Sequence, residues 1–461
     1  MFFLITNCLS NNDKEYKMKG YDNWNHRPYY PANQLSGSIN PYICRLAPGK
    51  DHCEIEWLGD GESFQLQYSE REKNSWNAIA VEGHEYLLEG LEENTEYELL
   101  LTDSNHRNSN IRLLRTGSKV GIIVNYLHPE DKQYGFSGQY LCSPSLLLLP
   151  DGTLLASMDV FASNAPQNLT LLFRSDDDGL HWHYVTDIFP CFWGKMFWHQ
   201  NKLFMLGVSR EYGDLLIGCS SDYGISWSAP TVILRGSSFS QENGNHRAPT
   251  VILKSHGRLW TGTEYGSWSK KTFAASLLSI DEQADPMVSS NWTLTDFVKP
   301  CQDWPDSEAE VSGGIEGNAV ELPDGTVVDI LRYSDNKALI LKAEPDSPEE
   351  AMSFNKIIHF PAGHTKFEIV RHCSGVYYAL GNPSPGRNIL ALYSSDDCIT
   401  WTKVKQLINH SECSIKEAGF QYPVFCFRKN EILLLSRTAW NHAHNFHDSN
   451  FITFHKTDIT Q

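Results

Sequence analysis

Ser175-Asp176-Asp177-Asp178-Gly179-Leu180-His181-Trp182 has a close copy in Ser220-Ser221-Asp222-Tyr223-Gly224-Ile225-Ser226-Trp227, and a degenerate one in Ser394, Asp396, Cys398, Thr400 and Trp401. The shared pattern is Ser-x-Asp-x-Gly-x-(Ser/Thr/His)-Trp, with cysteine replacing glycine in the third copy. Each copy follows a short apolar run: Leu169–Phe173, Leu215–Ile217 and Ile389–Leu392. An Asp and a Gly in a tight loop supply side-chain-to-backbone hydrogen bonds and a positive φ, as a turn leaving a strand requires. The tryptophan then returns to pack beneath the turn. A second tract, Leu149-Pro150-Asp151-Gly152-Thr153, recurs as Leu322-Pro323-Asp324-Gly325-Thr326. From about residue 118 onward, short strands alternate with such turns, and no convincing helical stretch interrupts them. A β-hairpin unit recurring about every 50 to 60 residues is what radial repetition of four-stranded sheets produces.

The chain has 461 residues, 41% of them hydrophobic, and a formal net charge of −18. That length buries a substantial core and suggests two domains. No basic run offsets the acidic balance, which argues against a nucleic-acid partner. No apolar run approaches the length of a membrane-spanning helix, so no membrane partner is expected. The eleven cysteines are odd in number and lack metal-ligand spacing, which reads as reduced thiols and a cytoplasmic protein. Met1-Phe2-Phe3-Leu4-Ile5 lacks the cationic start of a secretory signal, although a mis-assigned N-terminus would reopen secretion. Oligomeric state is not readable.

Residues 1–43 read as an N-terminal extension and 44–117 as a small β-domain, with strand-like alternation in Cys53–Trp57, Phe64–Tyr68 and Tyr86–Leu91. The Leu91 to Tyr97 segment, with Asn94 where proline is commoner, and Trp57 on an early strand resemble the fibronectin type III module. Another small sandwich remains an alternative.

The Ser-x-Asp-x-Gly-x-x-Trp repeats resemble the Asp-box, or BNR repeat, of the sialidase superfamily. The resemblance implies an all-β fold: a six-bladed β-propeller over 118–461 preceded by the fibronectin III-like sandwich. It also implies a carbohydrate substrate at one mouth of the propeller. Glu316, in Gly313-Gly314-Ile315-Glu316-Gly317-Asn318, precedes a strand whose hairpin partner ends at Arg332. In sialidases a Glu so placed polarises the catalytic tyrosine, and the arginine belongs to a triad gripping the substrate carboxylate. Arg387, after Asn382-Pro383, matches a second triad arginine, and Tyr422 lies where that family carries its nucleophile. A phenol is a poor nucleophile near neutral pH and needs such a carboxylate as base.

The chain departs from that family where Cys142 stands in place of the first triad arginine, and where 162–167 holds no carboxylate for the general acid. Asp159, a few residues early, and His246 are the candidate proton donors. Arg247, Glu264, Asn318 and Arg437 are further substrate-binding candidates, and His442, His444 and His447 are not spaced as a metal motif. No cofactor or metal is expected. The reading is an exo-acting glycoside hydrolase that removes a terminal sugar, with Arg332 and Arg387 placed to grip a carboxylate where that sugar is acidic, and is not an ordinary sialidase. A lyase acting on a uronate-containing glycan and a non-catalytic glycan-binding propeller stay open as alternatives.

Overall fold

The computed structural model describes Trp24 and residues 40–237, 242–308 and 314–459. Apart from Trp24 and 40–43, the expected N-terminal extension lies outside the described residues, as does Gly313. The fold is all-β. No helix among the described residues is long and apolar enough to cross a membrane, and all ten described cysteines are free thiols.

Two small sheets come first. One pairs Tyr42–Pro48, His52–Leu58 and Glu85–Glu89; the other pairs Asn77–Glu82, Ser63–Glu70, Glu96–Asp103 and Arg112–Arg115. Period-two burial in His52–Leu58 and Glu96–Asp103 directs one face of each into a shared core around Trp57, Leu66, Leu99 and Leu101. The first strand begins at Tyr42, two residues before the expected boundary. Buried Arg112 joins this unit to the rest through Asp131, at 2.7 Å.

Six antiparallel sheets follow, four of them strictly in meander order. Sheet I runs from Tyr140–Leu148 to His183–Ile188, sheet II from Phe192–His199 to Thr231–Leu234, and sheet III from Gly244–His246 to Trp292–Leu294. Sheet IV runs from Ile315–Glu321 to Ser353–His359, and sheet V from Glu368–Arg371 to Thr402–Asn409. Sheet VI combines Gly419–Arg428, Glu431–Ala439 and Phe451–Asp458 with Ile122–Tyr126 from the start of the repeat region. The leading strand of sheet I touches those of sheets II and VI, sheets III to VI touch in succession, and sheets II and III share a hydrophobic cluster. The strands are buried on both faces, which explains their continuous rather than alternating apolar character.

The repeated turns form as the sequence implies in their first two copies. Ser175 Oγ meets Asp177 and receives Gly179 N–H, Asp177 accepts His181 N–H, and Trp182 Nε1 donates to Gly179 O at 3.1 Å. Ser220, Asp222, Gly224, Ser226 and Trp227 repeat this pattern. The third copy requires a correction. Ser395 and Asp397, not Ser394 and Asp396, carry the turn, with Cys398 N–H on Ser395 Oγ and Thr400 N–H on Asp397. This turn is one residue tighter, and Cys398 takes the positive φ of 60° that glycine holds elsewhere.

Trp24, within the expected extension, is fully buried in the core of sheets I and II. Its indole donates to Pro190 O at 2.6 Å, and its ring meets Trp227 edge-on at 5.8 Å. Gly218 makes the room, since a Cβ there would lie 2.2 Å from the Trp24 ring.

Candidate functional site

The leading strands of sheets I, II, IV and VI share one irregularity. Three steps along Cys142–Ser145 face two along Ser157–Asp159, and the same mismatch recurs at Phe192–Lys195, Ile315–Asn318 and Gln421–Val424. These are β-bulges, which add a residue and re-aim a side chain. The residue that enters each bulge holds a left-handed backbone: Ser143 (φ 47°), Trp193 (52°), Glu316 (57°) and Tyr422 (51°). Proline or glycine follows every one: Pro144, Gly194, Gly317, Pro423. All four bulge residues line a single cavity of about 690 Å³. Non-glycine residues in this region cost about 1–3 kcal/mol each and persist only where the surroundings hold them.

Buried carboxylates of the preceding sheet accept backbone amides at or beside three of the four bulges. Asp159 accepts Trp193 N–H at 2.7 Å, Glu264 accepts Gly317 N–H at 3.0 Å, and Glu368 accepts Phe425 N–H at 2.7 Å. Two expected site residues are thereby reassigned. Asp159 is fully buried behind the cavity wall and also takes the Thr170 hydroxyl at 2.5 Å. Burial pushes its carboxyl up to about 8, but it does not reach the cavity where a departing sugar oxygen would sit. Glu264 likewise lies behind the wall. Asn318 bridges sheets instead, donating to Phe367 O and accepting Ile369 N–H.

The other expected residues converge. Glu316, Arg332, Arg387, Tyr422, Arg437, His246 and Arg247 all line the cavity. Arg332 bonds Glu316 at 3.1 Å and also the Tyr422 side chain. Arg437 lies 5.2 Å from the Tyr422 ring centroid and 4.6 Å from that of Phe161, and it hydrogen-bonds Ser449 and His447 O. Arg387 stacks 4.9 Å over Phe446 and donates to Gln421. Three guanidiniums thus surround Tyr422 with one carboxylate, Glu316, among them. Burial, with repulsion from Arg332 and Arg437, holds Arg387 below the usual arginine range. Burial and the Glu316 charge raise the Tyr422 phenol, against the pull of the three arginines. Cys142 occupies the wall where the first triad arginine was expected, and burial pushes its thiol up to about 12.

Across the cavity floor, His246 Nδ1 meets Glu264 at 2.7 Å. A carboxylate can only accept, so Nδ1 is the donor of this bond and Nε2 is the ring nitrogen left over. The Arg247 guanidinium donates to Trp193 O, Leu206 O and the Thr261 hydroxyl; burial brings it down to about 10. His444 turns to Tyr140 and His447 to Asp448, so those histidines do not gather round a common point.

Loops between the second and third strands of sheets I, II and III bring in Gln167, Glu211 and Trp268. Sequence reading passed over Glu211. The available signal was positional, since its loop occupies in sheet II the place that 162–168 occupies in sheet I. Burial raises its carboxyl, despite His246 nearby and hydrogen bonds from Tyr212 and Gln167.

A family model described as a BNR repeat-like domain matches residues 202–433, half of the 461-residue chain. The chain belongs to the BNR repeat-like family. No curated protein matches it in sequence. Among solved structures, this BNR protein is similar to the Hadza microbial sialidase Hz136, at 11% identity and a TM-score of 0.51 over 91% of this chain and 94% of that one. It is also similar to an α-L-arabinanase of Penicillium chrysogenum, at 11% identity and a TM-score of 0.50 over 74% and 99% of the two chains. At such identities the likeness is one of fold, and this family member has a glycosidase-like all-β fold.

Proposed function

We propose that the protein is an exo-acting glycoside hydrolase that removes a terminal acidic sugar from a complex glycan. In this reading the six sheets are the blades of a β-propeller, and the N-terminal pair of sheets is a fibronectin III-like module. One observation carries it: Tyr422 stands among Arg332, Arg387 and Arg437 with the single carboxylate of Glu316. A buried cluster with more guanidiniums than carboxylates favours an anionic ligand, and planar guanidinium forks suit a sugar carboxylate. Arg437 supplies the third guanidinium from sheet VI, where Cys142 stands in place of the expected first.

Tyr422 attacks the anomeric carbon and passes its proton to Glu316. The raised phenol makes that base necessary, because little phenolate exists near neutral pH without it. The arginines hold the carboxylate and steady the charge that builds at the ring. With Asp159 walled off, His246 and Glu211 are cavity groups able to exchange a proton.

The test is a panel of terminal glycosides, including sialosides and uronate-containing oligosaccharides, read by mass and ultraviolet absorbance. A saturated monosaccharide should be released, with turnover falling about 10³-fold or more in Tyr422→Phe and Glu316→Gln while the thermal midpoint stays put. An unsaturated product would instead move the assignment to a lyase.

A further inference from the structure

Glu211 is the cavity carboxyl that the scheme above leaves without a task. It lies in the loop joining Lys202–Val208 to Leu215–Ser220. Its Oε2 accepts the Gln167 side-chain amide at 3.0 Å. Gln167 belongs to 162–168, the loop that holds no carboxylate of its own, and its backbone is fixed by a bond to Ser137 O. Tyr212, next in sequence, is buried with φ 59°, and its hydroxyl accepts Trp268 N–H at 3.0 Å. The loop carrying Glu211 is therefore anchored to loops of sheets I and III. His246 has its Nδ1 committed to Glu264, whereas the Glu211 carboxyl is held only by neutral neighbours, the Gln167 amide and the Tyr212 side chain.

Resting on the hydrolase reading, we propose that Glu211 is the proton donor to the departing sugar oxygen. In the first half-reaction the Glu211 carboxylic acid protonates the glycosidic oxygen as its bond to the anomeric carbon breaks. The Tyr422 oxygen bonds to that carbon and its proton goes to Glu316. In the second, water attacks the anomeric carbon and gives a proton to the Glu211 carboxylate; the Tyr422–carbon bond breaks, and the phenol recovers its proton from Glu316. Every proton and electron pair is returned. The burial that raises the Glu211 carboxyl keeps it protonated further up the pH scale, as a general acid requires.

The experiment compares wild type with Glu211→Gln on two glycosides of one sugar, one with a nitrophenol leaving group and one with an unactivated sugar alcohol. General acid catalysis is worth about 10²–10⁴-fold, and a nitrophenolate departs without it. Glu211→Gln should lose at least 100-fold in kcat on the sugar alcohol, keep the nitrophenyl glycoside within about tenfold, and lose the alkaline limb of the pH–kcat profile. Equal losses on both glycosides, or no loss on either, would overturn the proposal while leaving the hydrolase reading standing. Wild type that cleaves neither glycoside, across the sugars of the panel, would overturn the hydrolase reading and this assignment with it. An unchanged thermal midpoint in Glu211→Gln separates lost chemistry from lost fold.

Discussion

At Asp159, composition and spacing point one way and burial another. It is a lone carboxyl near the expected acid loop, which made it a natural proton donor on paper. In the fold it faces sheet II and accepts the Trp193 amide. Its titration gives a test. The folded carboxyl sits near 8 against 3.8 for the unfolded chain, so between those values the folded state holds the extra proton. Stability then falls as pH rises through that window, by several kcal/mol over the whole of it. In Asp159→Asn, the amide oxygen still receives Trp193 N–H and its NH₂ faces Thr170. That variant should be more stable than wild type at pH 8, by an amount that shrinks to nothing toward pH 4, in chemical denaturation at several pH values. Its turnover should stay within about threefold of wild type, which a general acid would not allow. Arg437 and Glu211 show the opposite gap. Arg437 was legible as a mouth residue but its company with Arg332 and Arg387 was not, and Glu211 sits in no motif at all. Convergence of loops from different repeats is a long-range property that local spacing does not encode.

Strands and turns were the most legible level, because turn chemistry is local. Asp, Gly and Trp at fixed offsets specify a hairpin cap in two copies without help from the rest of the chain. The third slipped by one residue, since Ser394-Ser395 and Asp396-Asp397 offer two registers and the sequence pattern alone does not choose between them. The bulges left a trace as well: Ser143-Pro144, Trp193-Gly194, Glu316-Gly317 and Tyr422-Pro423 are each a side chain followed by a backbone-restricting or backbone-freeing residue. Gly317 is required for space, since a Cβ there would stand 2.3 Å from the Asp329 carboxyl. Gly317→Ala must therefore push the bulge or Asp329 aside. The expected cost is about 1–3 kcal/mol in unfolding free energy, together with a loss of turnover as Glu316 shifts relative to Arg332. Retained stability and turnover would mean that the bulge adapts freely.

On the scale of the whole molecule, Ile122–Tyr126 pairs with Phe451–Asp458, so sheet VI is built from both ends of the repeat region. The last sheet cannot be completed until the whole region has been made. A second long-range tie is Trp24, seated between sheets I and II against Gly218. The sequence analysis read 1–43 as an N-terminal extension, because the aromatic residues around Trp24, namely Tyr21, Tyr29 and Tyr30, follow neither a strand nor a helix period. Trp24→Ala should cost about 3–5 kcal/mol, seen as a lower midpoint of one cooperative thermal transition. A change below 0.5 kcal/mol, the usual size for a surface substitution, would show that the residue does not pack as described.

Four repeats present the same kinked backbone to one cavity, yet they display a hydroxyl, an indole, a carboxyl and a phenol there. Geometry and reactivity are consequently held by different parts of the protein: buried acceptors behind three of the four maintain the mounting, and the mounted group is free to differ. Such an architecture can acquire a new reaction by exchanging one residue at one mounting, without a new loop or a rebuilt core. Relatives sharing this frame need therefore share no chemistry, and those that do share it need not draw it from the same repeat.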